Sequence, residues 1–365
     1  MIALIMAGGI GTRFWPLSTQ ENPKQFLNIL GEKSMIRQTV DRILPQIKSE
    51  DIYVVTNISQ ASLVRKHLPE LPEDNIISEP YGRNTAACIG LAAIILNKKY
   101  PAEETMLVLA ADHFIGKQTK FLKIIDYCSN FVKEEKKLLT FGIQPHYPAT
   151  GYGYIESGKE ISSDESRRIV IQRDEYPIYN VKQFKEKPDL ETAKDFIASG
   201  NFAWNSGMFL WRIDSILQAF EEFMPELNFK LGEIKKCLAD DPAGIAKIYK
   251  DIPSIPIDIG VMEKADNTVV IPVDIDWNDI GSWKTVAEMM DKDENGNFFS
   301  AAALSIDSKN NYVLSTQKDK PIAIIGIEDC AIVETTDALL ICKKDKAQDV
   351  KRIVNILEKR KNARQ

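Results

Sequence analysis

Cysteine is scarce in this chain. The five cysteines (Cys88, Cys128, Cys237, Cys330, Cys342) are scattered over 365 residues without a C-x-x-C spacing. That pattern indicates neither a zinc site nor a disulfide framework, and it reads as reduced core thiols. No apolar run approaches the roughly 20 residues a membrane-spanning helix needs. The first such run, Ile2–Met6, is interrupted almost at once by Gly8-Gly9 and lacks the pattern of a secretory signal, so a cytoplasmic location is expected. An excess of positive charge is missing as well. The net charge of −6 argues against general affinity for nucleic acid or an anionic membrane, and makes any cationic ligand site a local feature. Two nucleotide-binding fingerprints are absent. No G-x-x-x-x-G-K-[ST] occurs, and G-x-G-x-x-G fails because Phe14 stands where the third glycine belongs. What remains is an ordinary globular composition, 44% hydrophobic and 27% charged, long enough for one large domain and a smaller one.

The organising stretch is the first thirty residues. The apolar run breaks into Ala7-Gly8-Gly9-Ile10-Gly11-Thr12-Arg13, followed by Phe14-Trp15-Pro16-Leu17-Ser18 and Pro23-Lys24-Gln25-Phe26. Glycines at 8, 9 and 11 let backbone lie close to a ligand and turn successive N–H groups toward it. Arg13 adds a bidentate fork and Lys24 a point charge. A glycine loop with two cations is what a polyphosphate requires.

Strand-like and helix-like runs then alternate. Strands are expected at Ile52–Val55, from Ile76, at Met106–Ala110 and at Leu138–Phe141, separated by helices that include Ala86–Leu96 and Phe121–Glu135. The βαβ spacing over the first 142 residues predicts a Rossmann-like, open and mostly parallel sheet with helices on both faces. In such sheets ligands bind beyond the carboxyl ends of the strands. The polar clusters Gly8–Arg13, Glu79–Asn84 and Asp112-His113 fall at those ends. Taken alone, Glu79-Pro80-Tyr81-Gly82-Arg83-Asn84-Thr85 also reads as a turn with an Asn or Thr helix cap. Asp112 reads as a cap too.

The first motif resembles the signature of the nucleotide-sugar pyrophosphorylases, G-G-x-G-T-R-x-x-P-x-(S/T)-x(4)-P-K, from Gly8 through Lys24. Trp15 before Pro16, and Gln25-Phe26 after Lys24, are similar to mannose-1-phosphate guanylyltransferases in particular. The resemblance extends through the E-P-x-x-R-N-T-A string, the E-K-P of Glu186-Lys187-Pro188, Asn205-Ser206-Gly207, and the W-x-D-(I/V)-G-x-W of Trp277–Trp283. It covers essentially the whole chain.

The resemblance implies a set of roles. Ala7, Gly8, Gly9, Gly11, Thr12 and Arg13 would hold the nucleotide phosphates, with Glu79, Arg83, Asn84 and Thr85 on base and ribose. Lys24 would neutralise charge between the substrate phosphates. Asp112, at the end of an apolar strand, and Asp279 would hold Mg²⁺. Asp279 is chosen over Asp274 and Asp276 because it occupies the motif position, and His113 is left to packing or a supporting bond. Gly153, Lys185, Glu186 and Asn205 would take the sugar phosphate, although Thr150–Ile155 alone reads equally as a bulged strand and the lysine-rich run as a solvated cluster. The implied reaction joins GTP and mannose 1-phosphate to give GDP-mannose and pyrophosphate. Related transferases using glucose 1-phosphate with dTTP or UTP, and a non-catalytic GDP-mannose-binding homologue, are the alternative readings.

The expected organisation is a transferase domain over 1–292, with a nucleotide half to about 142 and a sugar-phosphate half beyond it. A small β-rich domain over 298–365 follows, a β-roll or part of a left-handed β-helix, built from runs at Ala301–Ile306, Asn311–Ser315, Ile322–Ile327, Ala331–Thr335 and Ala338–Ile341. A helix from Gln348 to about Lys359 closes it. Longer bacterial relatives carry a fused mannose-6-phosphate isomerase domain; isomerase activity is not expected here. A homodimer is expected.

Overall fold

The computed structural model describes residues 1–161, 176–300, 303–317 and 319–362. In chain order the strands are β1 (Ile2–Ala7), β2 (Ile52–Asn57), β3 (Ile76–Glu79), β4 (Thr105–Ala110), β5 (Phe114–Ile115), β6 (Leu138–Ile143), β7 (Tyr154–Glu160), β8 (Tyr179–Lys185), β9 (Phe202–Arg212), β10 (Thr268–Val273) and β11 (Trp277–Asn278). They continue with β12 (Phe298–Phe299), β13 (Ala303–Ile306), β14 (Tyr312–Ser315), β15 (Ile322–Ile325), β16 (Cys330–Glu334) and β17 (Leu339–Lys343). The helices are α1 (Met35–Ile43), α2 (Ala61–His67), α3 (Asn84–Lys99), α4 (Gln118–Glu135), α5 (Leu190–Ser199), α6 (Ile213–Phe223), α7 (Pro225–Cys237), α8 (Pro242–Lys250), α9 (Trp283–Met289) and α10 (Val350–Asn362). By contact the chain forms two compact units. The first comprises Met1–Gly8, Val40–Ala111 and Ile115–Trp277; the second comprises Gly9–Thr39, Asp112–Phe114 and Asn278–Gln365.

The first unit is built on a sheet whose nine described strands run in the order β3-β2-β1-β4-β9-β6-β10-β8-β7. Parallel pairing of β3, β2, β1 and β4 gives the expected open sheet. β9 pairs antiparallel on both sides, β6 and β10 restore the original direction, and β8 reverses again. Only β8 and β9 oppose the other described strands, so the sheet is mostly parallel by direction although several of its pairings are not. Continuous apolar strands such as Ile2–Ile5 and Ile52–Val55 are buried, as strands covered on both faces must be. Their burial drives the core: Ile2, Leu4, Tyr53 and Val55 pack with residues of α3, α6 and α7. The helical run after Ile213 is three helices, with Pro225 and Pro242 in the first turns of α7 and α8, where a missing N–H costs nothing. The glycine-aromatic stretch is only partly a strand, since β7 begins at Tyr154 and Gly151–Gly153 forms the bend before it.

In the second unit β12, β14 and β16 pair in parallel succession, and β13 pairs in parallel with β15. Ala303 opposes Ile322 and Tyr312 opposes Ala331, an offset of 19 residues in both ladders, while Phe298 opposes Tyr312 at an offset of 14. That repeat is the β-helix-like arrangement expected; the first two residues of the predicted Ala301–Ile306 run lie outside the described residues. The core of this unit joins Phe14, Leu27, Ile29 and Met35 to Ile280, Trp283, Tyr312, Val333 and Val350. The N-terminal loop therefore folds as part of the C-terminal unit, not as an appendage of the strand that precedes it.

Candidate active site

In the second unit the glycine loop is stitched to the stretch that follows it. Gly11 has φ +74°, and a Cβ there would collide with Cβ of Lys24, so conformation and space both demand glycine. Ser18 Oγ donates to the Gly11 carbonyl (2.5 Å), the Lys24 amide to Ile10 (3.0 Å), and Gln25 Nε2 to Gly9 (3.0 Å). With carbonyls engaged on the protein side, the donors this loop offers an anion are its amides. Phe14 meets Trp283 edge-on at 5.1 Å, and Trp283 Nε1 donates to the Trp15 carbonyl at 3.1 Å.

Lys24 is the best-fixed predicted residue. It is buried, with Nζ 2.8 Å from Asp112 Oδ2 and 2.8 Å from the Asp279 carbonyl oxygen, and 5.3 Å from the Phe14 ring centroid. Burial pushes the Asp112 carboxyl upward. The Lys24 ammonium, and then His113, outweigh that and hold it below its ordinary value. Three predicted residues, Lys24, Asp112 and Asp279, are thus brought together. Arg13 lies in the same unit, and its guanidinium donates to Gln348 Oε1 at 3.0 Å.

The acidic stretch is divided between roles. In the first unit Asp274 and Asp276 both pair with Lys117, at 2.7 and 3.1 Å. In the second, Asn278 Oδ1 accepts from the Ile280 amide (2.7 Å), and a Cβ on Gly281 would stand 2.9 Å from Asp279 Oδ2. The glycine of the W-x-D-I-G-x-W pattern makes room for the aspartate two places before it.

The predicted base-binding string belongs to the first unit. Glu79 ends β3 beside Asn57 and is 5% exposed. Its Oε1 accepts from the Tyr249 hydroxyl, and Cys88 also bonds the carboxylate. Burial raises its pKa to about 7, with the Tyr249 and Cys88 bonds pulling the other way. Its Oε2 stands 3.7 Å from where a Cβ on Gly8 would be. Arg83 donates to the Lys250 carbonyl. Neither Asn84 nor Thr85 caps α3 as the string alone reads. Asn84 has φ +65° and accepts from the Thr85 amide (2.9 Å), while Thr85 Oγ1 accepts from the Ile257 amide (2.8 Å). Ala7 accepts at its carbonyl from Thr56 Oγ1 (2.8 Å).

The predicted sugar-phosphate residues also meet within the first unit. The Asn205 amide donates to the Gly153 carbonyl at 2.8 Å. A Cβ on Gly153 would stand 3.3 Å from Glu186 Oε1, 3.6 Å from the Lys185 carbonyl and 3.7 Å from Asn205 Cβ. Asn205 Nδ2 donates to Asp258 Oδ1 at 2.7 Å. Burial raises the Asp258 carboxyl, and Glu186 adds to the rise against the Asn205 bond. Burial, Asp258 and Glu186 raise Glu263 in turn. Such a carboxylate cluster suits hydroxyl donors; Lys185 and Lys187 flank Glu186 in sequence, and Lys187 Nζ lies 2.9 Å from Glu186 Oε2.

Sequence reasoning missed Tyr249, Asp258 and Gln348. Each comes from a stretch without a motif and reaches its partner across 53 to 335 residues, so no local signal marks it.

Within the second unit the glycine loop shares its unit with a lysine bonded to the Asp112 carboxylate and the Asp279 carbonyl, and the first unit carries a separate carboxylate-rich cluster. The nucleotidyl transferase family model matches residues 2–296, and a model of the mannose phosphate isomerase/GMP-like β-helix domain matches 302–357. A mannose-1-phosphate guanylyltransferase of Salmonella muenchen is 39% identical, the match covering 98% of this chain and 73% of the relative; one of Escherichia coli is 38% identical over 98% and 76%. The crystal structure of a mannose-1-phosphate geranyltransferase from Thermus thermophilus superposes with a TM-score of 0.83 at 28% identity, covering 98% of this chain and 99% of that one. The chain belongs to the mannose-1-phosphate guanylyltransferase family of nucleotidyl transferases.

Proposed function

We propose that this protein transfers the guanylyl group of GTP to mannose 1-phosphate. A phosphate oxygen of the sugar phosphate attacks the α-phosphorus, the bond to the bridging oxygen breaks, and pyrophosphate leaves. The observation that carries this reading is Lys24, a buried ammonium held 2.8 Å from the Asp112 carboxylate in the unit that bears the glycine loop. The chemical difficulty is charge, because two anions must meet and a third must depart. No general base is required, since a phosphate monoester is already ionised near neutral pH. Catalysis is therefore positioning and charge neutralisation. The amides of Gly8–Thr12 and Arg13 hold the β- and γ-phosphates, and Lys24 neutralises charge between the substrates. Glu79, Arg83, Asn84 and Thr85 serve the nucleoside. Gly153, Lys185, Glu186 and Asn205 serve the sugar phosphate. The catalytic domain spans 1–292 and the β-helix-like domain 298–365.

Enzymes of this family generally use a divalent cation. Among the described residues no group of three or more His, Cys, Asp or Glu is placed to hold a metal. The chain offers two carboxylates, Asp112 and Asp279, and a hard ion completed by phosphate oxygens and water suits that donor set. We assign Mg²⁺ to them; when bound it neutralises charge on the reacting phosphates. The protein acts as a cytoplasmic homodimer in this reading, and light scattering at twice the 41.2 kDa chain mass tests the dimer. No helix among the described residues is long and apolar enough to cross a membrane.

The deciding experiment is pyrophosphate release by purified protein with Mg²⁺ and mannose 1-phosphate, comparing GTP with ATP, UTP and dTTP. Release that needs both GTP and the sugar phosphate, and stops with EDTA while the melting transition persists, is the expected result. Release with another nucleotide only overturns the guanine assignment. No release with any nucleotide overturns the enzyme.

A further inference from the structure

We propose that Tyr249 is a positioning residue for nucleotide selection, fixing the Glu79 carboxylate through one oxygen so that the other is aimed to accept from the guanine edge. The inference rests on the guanylyltransferase reading and concerns a residue that lies in no motif of the chain. Tyr249, on α8, is fully buried and lies 170 residues from Glu79; its hydroxyl bonds Oε1. Cys88, on α3, is the second side chain bonded to that carboxylate, and Arg83 lends Tyr249 its positive charge. The opposite oxygen, Oε2, lies toward the exposed backbone of Gly8. One end of Glu79 is therefore anchored by Tyr249 and the other faces Gly8, a residue assigned to the nucleotide.

Guanine offers two adjacent donors, N1–H and the 2-amino group, which a carboxylate oxygen can accept. Adenine places an acceptor at N1 and leaves a buried carboxylate unsatisfied, so the cost falls on the wrong base. An unanchored Glu79 would lose that orientation and, with it, the discrimination. Tyr249 also donates to the ionised form, so it favours the state of Glu79 that can accept.

The test is Tyr249→Phe in the full-length protein, which keeps the packed ring and removes only the hydroxyl. The KM for GTP is expected to rise about tenfold, as for the loss of one charged hydrogen bond, with kcat and the KM for mannose 1-phosphate little changed. In the wild type the KM for GTP should rise as pH falls through about 7, where Glu79 takes up its proton. In Tyr249→Phe that rise should begin at higher pH. In a Glu79→Gln background, adding Tyr249→Phe should change neither GTP-over-ATP selectivity nor the pH profile. An unchanged KM and profile in Tyr249→Phe overturns the proposal. So does an equal rise in both KM values, which marks a merely structural role, or a further loss of selectivity in the Glu79→Gln background. A wild type that does not prefer GTP over ATP overturns the guanine reading itself, before any variant is made.

Discussion

Two carboxylates close consecutive stretches of the same kind, and the protein treats them oppositely. Asp112 follows the apolar β4 and meets a buried ammonium, which with His113 holds its carboxyl below the ordinary value against the effect of burial. Glu79 ends β3 and is bonded by a phenol and a thiol, so burial prevails and its pKa climbs to about 7. Burial opposes ionisation at both, and the partners decide the outcome: at Asp112 the Lys24 ammonium and His113 together outweigh desolvation, while at Glu79 two neutral donors do not. A group kept ionised suits holding a cation, and through it the charge on a phosphate. A group poised near neutrality suits recognition that depends on accepting hydrogen bonds.

The strongest way to break this contrast is to remove the charge. Lys24→Ala deletes the ion pair to Asp112 and the bond to the Asp279 carbonyl together. At ~1.5–3 kcal/mol for each charged bond, kcat/KM with GTP should fall at least ~100-fold. Activity within threefold of wild type would show that the pair has no part in turnover.

A smaller effect sharpens the other half. Glu79 binds its proton more tightly folded than unfolded, so its contribution to stability is present at acid pH and is lost as pH rises from its ordinary 4.5 through about 7. A shift of that size corresponds to ~3 kcal/mol at most. Relative to wild type, Glu79→Gln should gain up to ~3 kcal/mol in urea unfolding between pH 4 and pH 8. A difference that stays flat with pH would place the carboxyl near its ordinary value. Asp112→Asn should behave inversely, since a lowered carboxyl stabilises above its ordinary 3.8 and loses that contribution only as pH falls below it.

The smallest effect belongs to Gln348, the partner of Arg13. The bond between them is exposed, so Gln348→Ala should raise the KM for GTP only about two- to threefold. A tenfold loss would make the C-terminal segment a determinant of the phosphate site.

Much of this molecule is legible in the chain alone. Strands covered on both faces must be apolar throughout, so β1, β2, β4 and β6 announce themselves, and their spacing dictates a parallel sheet with helical crossovers. The glycine at 11 is legible as part of a glycine loop, whereas the reasons it must be glycine, a positive φ and the close approach of the Lys24 side chain, come from the fold. The 19-residue coil of the β-helix-like part is less so, since strands of two to five residues carry little periodicity.

Residue types and their local order determined which groups were available: a glycine loop, two cations, and carboxylates at strand ends. Tertiary structure alone decided what each group became. It placed Gly9–Thr39 in one unit with Asn278–Gln365, paired Asp274 and Asp276 with Lys117 while leaving Asp279 in the unit that holds Lys24, and brought Tyr249 to Glu79 and Asp258 to Asn205. The reason is physical. Local propensity follows from a residue and its near neighbours, whereas burial and charge pairing are properties of whatever the fold packs alongside, and these set the ionisation of Asp112, Glu79 and Asp258.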